Sequence, residues 1–236
     1  MPRPYNPERY ARHLSLPGFG ADGQRRLREA SVLVTGLGGL GSPVSLYLAA
    51  AGVGRMLLAD ADTVSLSNLQ RQVLYSEAEV GKPKAECAAR RLRELNSEVL
   101  FEPVAEGLTA ENAPALLAGC DLVLDCTDNW STRFLIDDAC AGAGVPWVFG
   151  SIGEWAGMVS LFGGPSRRRL ADLFPEREEL CSRPVASGGV IGALPGIVGA
   201  AQACAALEHL ALGSSPLDGR LWTFDARTFQ SQIIDY

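Results

Sequence analysis

The stretch VLVTGLGGLGS, from Val32 to Ser42, decides the fold of this 236-residue chain. It begins as a short apolar run rich in β-branched side chains, which is typical of a buried parallel strand. Gly36, Gly38 and Gly41 follow with the spacing G-x-G-x-x-G, and small helix-forming residues continue to Ala51. A glycine turn between a strand and a helix predicts a nucleotide site. The backbone can approach phosphate there, and the helix N-terminus offers unpaired N–H groups.

Strands and helices alternate on the C-terminal side of this turn. Further strands are predicted in RMLLAD, EVLFEPV, DLVLDCTDN and VPWVFG, and helices in KPKAECAARRLRELN, TAENAPALLAG and STRFLIDDACAGAG. This alternation predicts an α/β fold with a Rossmann-like, doubly wound and mostly parallel sheet.

The pattern changes after Gly150. MVSLFG indicates an antiparallel strand, a mostly unpatterned loop follows from Gly163 to Gly189, and a long helix comes next. The two alternating runs of LWTFDARTFQSQIID, around Ala226–Arg227, predict a hairpin. We therefore expect C-terminal antiparallel strands to extend the same sheet. The predicted organisation is a single domain, 1–236, with an N-terminal helical arm (about 1–29), a nucleotide-binding core (about 30–150) and a C-terminal extension (about 151–236).

Composition limits the partners and the compartment. The chain is 47% hydrophobic and 20% charged, and its formal net charge of −6 argues against nucleic acid or an anionic membrane as a partner. Its six cysteines form no C-x-x-C pair, and the polar N-terminus lacks the apolar region of a secretory signal. We therefore expect a reducing, cytoplasmic compartment. Pro195 and several glycines interrupt the apolar stretch Val190–Leu212, so we expect a core helix there rather than a membrane span.

The residues beyond the glycine turn distinguish between two nucleotides. On the glycines alone a dinucleotide such as NAD is the default, with Asp60 at the next strand end to hold a ribose. Polar segments carrying Asn68, Arg71, Lys84 and Asp128 then leave the carboxyl edge of the predicted sheet. Cationic side chains can neutralise triphosphate oxygens, and Mg²⁺ usually takes only one or two carboxylates. This set favours ATP over NAD.

Several segments, in order, resemble one known family. RYARHLSLPGFG, GLGGLGS, DADTVSLSNLQRQ, VGKPKAE and LVLDCTDN together are similar to the ThiF/MoeB/HesA family, the bacterial relatives of ubiquitin-activating enzymes. The resemblance runs from about Arg9 to the C-terminus and is densest up to Gly150. It implies a nucleotidyltransferase that uses MgATP to adenylate the C-terminal glycine of a ubiquitin-like sulfur-carrier protein ending in Gly-Gly, with release of pyrophosphate.

The resemblance also implies roles for individual residues. By position, Gly36, Gly38, Gly39 and Gly41 would approach the ATP phosphates, Asp60 would hold the ribose, Asn68, Arg71 and Lys84 would contact phosphates, and Asp128 would coordinate Mg²⁺. Arg12 resembles an arginine that family members donate to the ATP site of the other subunit of a homodimer. The alternative for Arg12 is a surface salt bridge. Arg71, Lys84, Asp128 and Arg12 are thus the candidate catalytic residues, and a homodimer is expected.

Two features depart from the family. Many members bind a structural zinc through two C-x-x-C pairs, but here Arg169 and Asp172 stand at the first pair and the C-terminal segment has no cysteine. Such a site needs four thiolates, so we expect no zinc. Cys181 lies where some members carry a cysteine that links to the carrier, although SRPVAS, a short insertion, precedes the glycine-rich helix start. Cys181 is thus either a thiol nucleophile or a loop cysteine with no essential role.

Other functions compete with this expectation. An adenylating enzyme could act instead on a small molecule or a tRNA base, and a catalytically silent member would keep only the fold. Intact Arg71, Lys84 and Asp128 argue against the silent alternative. Because no sulfurtransferase segment follows in the sequence, we expect a separate sulfur-donor protein. The sequence does not select among carriers for thiamine, molybdenum cofactor, cysteine or thiocarboxylate siderophore synthesis.

Overall fold

Eight strands form one sheet within residues 5–184 and 188–236, the part of the chain that the computed structural model describes. The strands are β1 (Ser31–Thr35), β2 (Arg55–Ala59), β3 (Leu100–Val104), β4 (Leu122–Asp125), β5 (Trp147–Gly153), β6 (Ala156–Phe162), β7 (Arg220–Asp225) and β8 (Gln230–Asp235). Their order in the sheet is β3-β2-β1-β4-β5-β6-β7-β8. Strands β1 to β5 pair with their neighbours in parallel, and β6, β7 and β8 extend the sheet with antiparallel pairs.

This topology confirms the predicted fold class. The strand order reverses between β1 and β4, which makes that position the topological switch point of the sheet. In open α/β sheets the ligand crevice lies outside the carboxyl ends of the strands at this point. The sheet is continuous through the C-terminal hairpin. The single domain, 1–236, remains a prediction that is compatible with this continuity.

Helices cover both faces of the sheet. They are α1 (Ala11–Leu14), α2 (Gly20–Glu29), α3 (Gly41–Ala51), α4 (Lys84–Leu95), α5 (Ala113–Leu117), α6 (Trp130–Ala143), α7 (Leu170–Leu173), α8 (Arg177–Ser182) and α9 (Leu194–Leu212). Capping residues set the ends of several of these helices. Helix α3 stops at Gly52, whose φ of 81° suits glycine. Helix α6 starts after Asn129, whose side chain accepts from the Thr132 amide.

The interiors of the central strands are apolar because both faces of the sheet are buried. Every residue of β1 and of β4 is buried. One core, on the side of α3, α4 and α9, contains Val34, Leu48 and Val198. The other, on the side of α6, contains Phe134 and Phe149. Two helix-covered cores explain why these strands read as continuous apolar runs rather than alternating ones.

The segment from Gly163 to Gly189, predicted to be mostly unpatterned, contains the short helices α7 and α8. Leu170 of α7 and Leu180 of α8 are buried in the core on the α6 side, and partly exposed ion pairs add to this packing. Arg169, just before α7, forms ion pairs with Asp137 and Asp138. Arg177, the first residue of α8, forms an ion pair with Asp138 at a nitrogen–oxygen distance of 2.8 Å. Part of the insertion predicted after Cys181, residues 185–187, lies outside the described residues.

The long apolar stretch forms α9, which begins with Pro195 in its first turn. Its buried side packs against α3, β5 and β6. Across residues 5–184 and 188–236, none of the helices combines the length and the apolar character needed to cross a bilayer.

Candidate active site

A cleft of about 1420 Å³ opens at the carboxyl edge of the sheet, over the switch point. The C-terminal residues of β1 and β2 and the segment that follows β4 line its floor, and the β5–β6 tip and the β7–β8 turn form its far rim. The cleft collects most of the residues expected from the sequence: Gly36, Gly38, Gly39, Asp60, Asn68, Arg71, Lys84 and Asp128.

The glycine turn has the backbone that its spacing requires. Gly36 has a φ of 84°, and a Cβ there would lie 2.7 Å from the carbonyl oxygen of Cys126. Only glycine fits this crossing of β1 over the end of β4. Gly41 differs from the other three glycines, because it is buried and absent from the described cleft lining. A side chain on Gly41 would collide with the carbonyl oxygen of Gly36, so its geometry serves helix–turn packing rather than phosphate approach.

Asp60 anchors the turn from the end of β2. One carboxylate oxygen accepts the Leu37 amide at 2.7 Å, and the other accepts the Asp62 amide at 2.8 Å. Burial raises the pKa of the Asp60 carboxyl, while these two hydrogen bonds act in the opposite direction. Each oxygen keeps a second lone pair, so the carboxylate can still accept a ribose hydroxyl.

Lys84 brings a nearly buried ammonium group to the cleft. It is the first residue of α4, and its side chain is only 5% exposed. Its Nζ lies 2.9 Å from Oδ2 of Asp62, whose side chain is 74% exposed. An exposed carboxylate is a weakly held counter-ion, because water screens it. An anionic ligand can therefore compete with Asp62 for this ammonium.

Asn68 and Arg71 lie on a short 3-10 helical turn, Leu66–Asn68, and its continuation. The Asn68 side chain accepts from the Ser65 amide, which closes the N-terminus of that turn. Arg71 donates to the Ser67 carbonyl at 3.2 Å. Its Cδ lies 3.7 Å from where a Cβ on Gly39 would be, so its aliphatic stem crosses the glycine turn.

Asp128 is exposed at the end of β4 and accepts no hydrogen bond from any described residue that would fix its carboxylate. The turn that carries Asp128 is held by hydrogen bonds between Thr127 and the buried residues Asp125 and Arg133. Asp125 accepts both the amide and the hydroxyl of Thr127, and Arg133 donates to the Thr127 carbonyl at 3.0 Å. Asp125 is fully buried, and its Oδ2 is 3.7 Å from Nε of Arg133. The buried ion pair therefore positions the Thr127–Asp128 turn.

The Arg133 guanidinium lies between two aromatic rings. Its central carbon is 4.9 Å from the Trp130 ring centroid and 5.3 Å from that of Phe149. Burial lowers the pKa of Arg133 and raises that of Asp125. Gln202 of α9 completes the support by donating to the Asp125 carbonyl at 2.7 Å.

Sequence reasoning did not assign roles to Asp62, Gln72, Arg133 or Gln202. Asp62 follows Asp60 by two positions, and this proximity at a strand end was the available signal. Arg133 and Gln202 lie within helical runs, where a polar residue is usually solvent-facing. Only the packing of α6 and α9 on β4 reveals that both are buried.

Besides Gly41, two predicted residues lie outside the described cleft lining. Arg12, on α1, is exposed and lines a separate groove of about 190 Å³ with Arg9 and Tyr47. No salt bridge forms between Arg12 and any described residue, so the surface-pair alternative has no support in a single chain. Cys181, on α8, packs half-buried against the core on the α6 side.

The positions that match zinc cysteines carry other contacts. Arg169 pairs with Asp137 at 2.8 Å, and Asp172 accepts the Arg169 amide at 2.8 Å. A guanidinium and a carboxylate cannot replace thiolates in a tetrahedral sulfur site. In the described parts of the chain no cluster of three or more His, Cys, Asp or Glu residues is arranged to hold a metal ion.

The fold and the cleft define a doubly wound α/β protein with a candidate ligand site at its switch point. The ThiF family model matches residues 10–236, and the chain belongs to that family. The family resemblance predicted from the sequence is thereby confirmed.

Known proteins resemble the chain over nearly its whole length. The SAMP-activating enzyme E1 of Haloferax volcanii is 42% identical over 97% of this chain and 85% of that protein. The sulfur carrier protein adenylyltransferase of Thermus thermophilus is 44% identical over 93% of this chain and 83% of that protein. Escherichia coli MccB, solved with ATP, superimposes with a TM-score of 0.81 at 24% identity, over 100% of this chain and 73% of that one. This last likeness concerns the fold alone.

Proposed function

We propose that this protein uses MgATP to adenylate the C-terminal glycine carboxylate of a ubiquitin-like sulfur-carrier protein. The observation that carries the proposal is the gathering of Arg71, Lys84 and Asp128 around the glycine turn in one cleft. The names of relatives that are more than 40% identical, a SAMP-activating enzyme and a sulfur-carrier adenylyltransferase, point to the same activity.

The size of the cleft supports two substrates. At about 1420 Å³ it exceeds the ~300–1000 Å³ of ordinary small-molecule pockets. The nucleotide would occupy the end over β1 and β2. The remaining space leads past the β5–β6 tip, Ser151–Ala156, to Arg227 at the rim. An extended chain terminus entering there would bring its carboxylate towards the phosphates.

The chain's own residues would bind ATP by contacts of three kinds. Backbone amides at Gly38 and Gly39 and the N-terminus of α3 would receive phosphate oxygens. Asp60 would accept a ribose hydroxyl. Arg71, Lys84 and Asn68 would contact phosphates, with the two cations neutralising charge that water would otherwise solvate.

The donor set near Asp128 fits Mg²⁺. One unengaged carboxylate at the cleft floor is what this ion takes from many proteins, with phosphate oxygens and waters completing its shell. When bound, Mg²⁺ would neutralise negative charge on the phosphates. The residues at the positions of the family's zinc cysteines do not fit zinc, and no step is assigned to it.

The reaction follows from these contacts. A carboxylate oxygen of the carrier attacks the α-phosphorus of ATP, the bond from that phosphorus to the bridging oxygen breaks, and pyrophosphate leaves. The product is an acyl-adenylate. No general base is needed, because the attacking carboxylate is already ionised, so the protein contributes positioning and charge neutralisation. The thiol of Cys181 has no part in this step, and any attack by it or by a separate sulfur donor comes afterwards.

Pyrophosphate exchange tests the proposal. We expect labelled pyrophosphate to enter ATP only when the protein is given a ubiquitin-like carrier ending in Gly-Gly, and not when the carrier lacks these two residues. Mass spectrometry should detect the carrier increased by the mass of an adenylyl group. Exchange supported by small carboxylates or by tRNA, but not by any carrier, would establish the competing adenylation reaction instead.

We further propose a homodimer with two ATP sites. Helix α9 exposes an apolar side that includes Ile197, Cys204 and Leu212, and Tyr47 of α3 is 55% exposed. Residues of this kind fit an isologous interface. A second subunit docked there could place its Arg12 at the cleft, which Arg12 does not line within one chain.

Mixed dimers test the role of Arg12. Arg12→Ala and Asp128→Ala should each be nearly inactive alone. When co-expressed they should recover about a quarter of wild-type exchange, because half of a random mixture is heterodimer with one intact site. Light scattering should give the mass of two chains. Absence of recovery in a proven heterodimer would assign Arg12 to its own subunit or to no site.

A further inference from the structure

We propose that the side-chain amide of Gln72 is a further phosphate-binding group of the cleft, donating an N–H to a phosphate oxygen that lies over Gly38. The inference rests on the proposed binding of ATP. It adds an uncharged donor to Arg71 and Lys84, and no sequence pattern distinguishes Gln72 from its polar neighbours.

Arg71 and Gln72 cover the glycine turn together. The stem of Arg71 lies over Gly39, and the amide nitrogen of Gln72 lies 3.3 Å from where a Cβ on Gly38 would be. Both residues belong to one helical turn, in which the amides of Arg71 and Gln72 donate to the Asn68 carbonyl. The cation and the amide are thus held as a unit above the two glycines whose backbone would receive phosphate.

Gln72 is polar, 4% exposed and incompletely bonded. Its Oε1 is buried without a hydrogen-bond partner among the described residues. Buried side-chain amides are nearly always paired, so an unpaired one requires an explanation. Among the described residues the Gln72 side-chain amide neither donates nor accepts a hydrogen bond, so it does not tie down the turn. The nearby carbonyls of Gly38 and Leu37 are bonded instead by Ser42 and by the Tyr75 hydroxyl.

The chemistry of the surroundings explains an amide at this position. The described cleft lining already carries six carboxylates, including Asp60, Asp62 and Asp128, together with cations that include Arg71 and Lys84. A glutamate here would add negative charge beside the phosphates, and an apolar residue would provide no donor. An amide can donate to a phosphate oxygen without altering the balance of charge, and its Oε1 can accept from a bound water or a hydroxyl.

Calorimetric titration of the whole protein with MgATP and with adenosine, in the absence of carrier, tests the inference. Gln72→Leu keeps the volume and should weaken MgATP binding by about tenfold to a hundredfold, the worth of a hydrogen bond to a charged group. Gln72→Glu should weaken it at least as much. Adenosine, which has no phosphate, should bind Gln72→Leu as tightly as wild type. Gln232→Leu, on the exposed strand β8, is the matched control and should bind both ligands normally.

The outcomes distinguish the proposed role of Gln72 from the proposed binding of MgATP. Equal MgATP affinity for wild type and both Gln72 variants would overturn the assignment of Gln72 while leaving ATP binding intact. A parallel loss of adenosine binding in Gln72→Leu would assign the amide to the shape of the turn and also overturn it. Failure of wild-type protein to bind MgATP would instead refute the proposed function.

Discussion

Replacing Asp128 with alanine should reduce carrier-dependent pyrophosphate exchange by a factor of about 100–1000, equivalent to about 3–4 kcal/mol of transition-state stabilisation. Asp128 is the exposed carboxylate at the end of β4. Without it, the Mg²⁺ that neutralises charge on the phosphates would lose its protein anchor. Initial rates of exchange at saturating ATP and carrier measure the effect.

The protein should otherwise be unharmed, because Asp128 makes no described contact that supports the fold. Thermal unfolding of Asp128→Ala should match wild type. Asp22→Ala is a suitable control, since the Asp22 side chain is 87% exposed on α2 and lies far from the cleft lining. Near-wild-type exchange by Asp128→Ala would remove this residue from the metal site.

Replacing Arg133 with methionine should lower the free energy of unfolding by about 3–5 kcal/mol, the usual cost of leaving one member of a buried ion pair alone. Asp125 would then be a fully buried carboxylate whose Oδ2 faces no cation. Denaturant unfolding measures the loss. Arg25→Met, which removes an exposed pair with Glu29, should cost about 1 kcal/mol or less.

The loss in free energy of unfolding caused by Arg133→Met should depend on pH. Burial raises the pKa of Asp125 in the folded protein, and loss of Arg133 removes the charge that opposes this shift. A carboxyl with a raised folded-state pKa destabilises the protein fully above that pKa, and the penalty declines as the pH falls below it and vanishes below the unfolded-state pKa. The difference from wild type should therefore narrow on acidification. A pH-independent deficit would indicate lost packing against Trp130 and Phe149 rather than an unpaired charge.

Local pattern was enough to predict most of the fold. The apolar runs from Ser31 to Thr35 and from Arg55 to Ala59 became β1 and β2, and the alternating runs near Ala226 became the hairpin of β7 and β8. The short helices α7 and α8 escaped prediction. They bury Leu170 and Leu180 in the core on the α6 side, and Arg169 and Arg177 pair with carboxylates of α6 about thirty to forty positions earlier in the chain.

The candidate site likewise has features that local sequence predicts and features that depend on tertiary contacts. The sequence by itself placed Gly36, Asp60, Lys84 and Asp128 at one edge of the sheet, because residues that follow parallel strands must share that edge. The third glycine of this spacing, Gly41, ordinarily allows close helix–strand packing, although the family resemblance grouped it with the phosphate-contacting glycines. The close approach of α3 to the Gly36 carbonyl supports the packing role.

Tertiary structure alone decided which polar side chains support the cleft from within. Gln202 reaches the Asp125 carbonyl across 77 positions of sequence, Tyr75 reaches the Leu37 carbonyl across 38, and Gln72 lies over Gly38. Periodicity and turn chemistry are properties of neighbouring residues, so the sequence encodes them directly. The burial of one polar group, and the partner that it finds or lacks, arise only when separate helices and strands pack against one another.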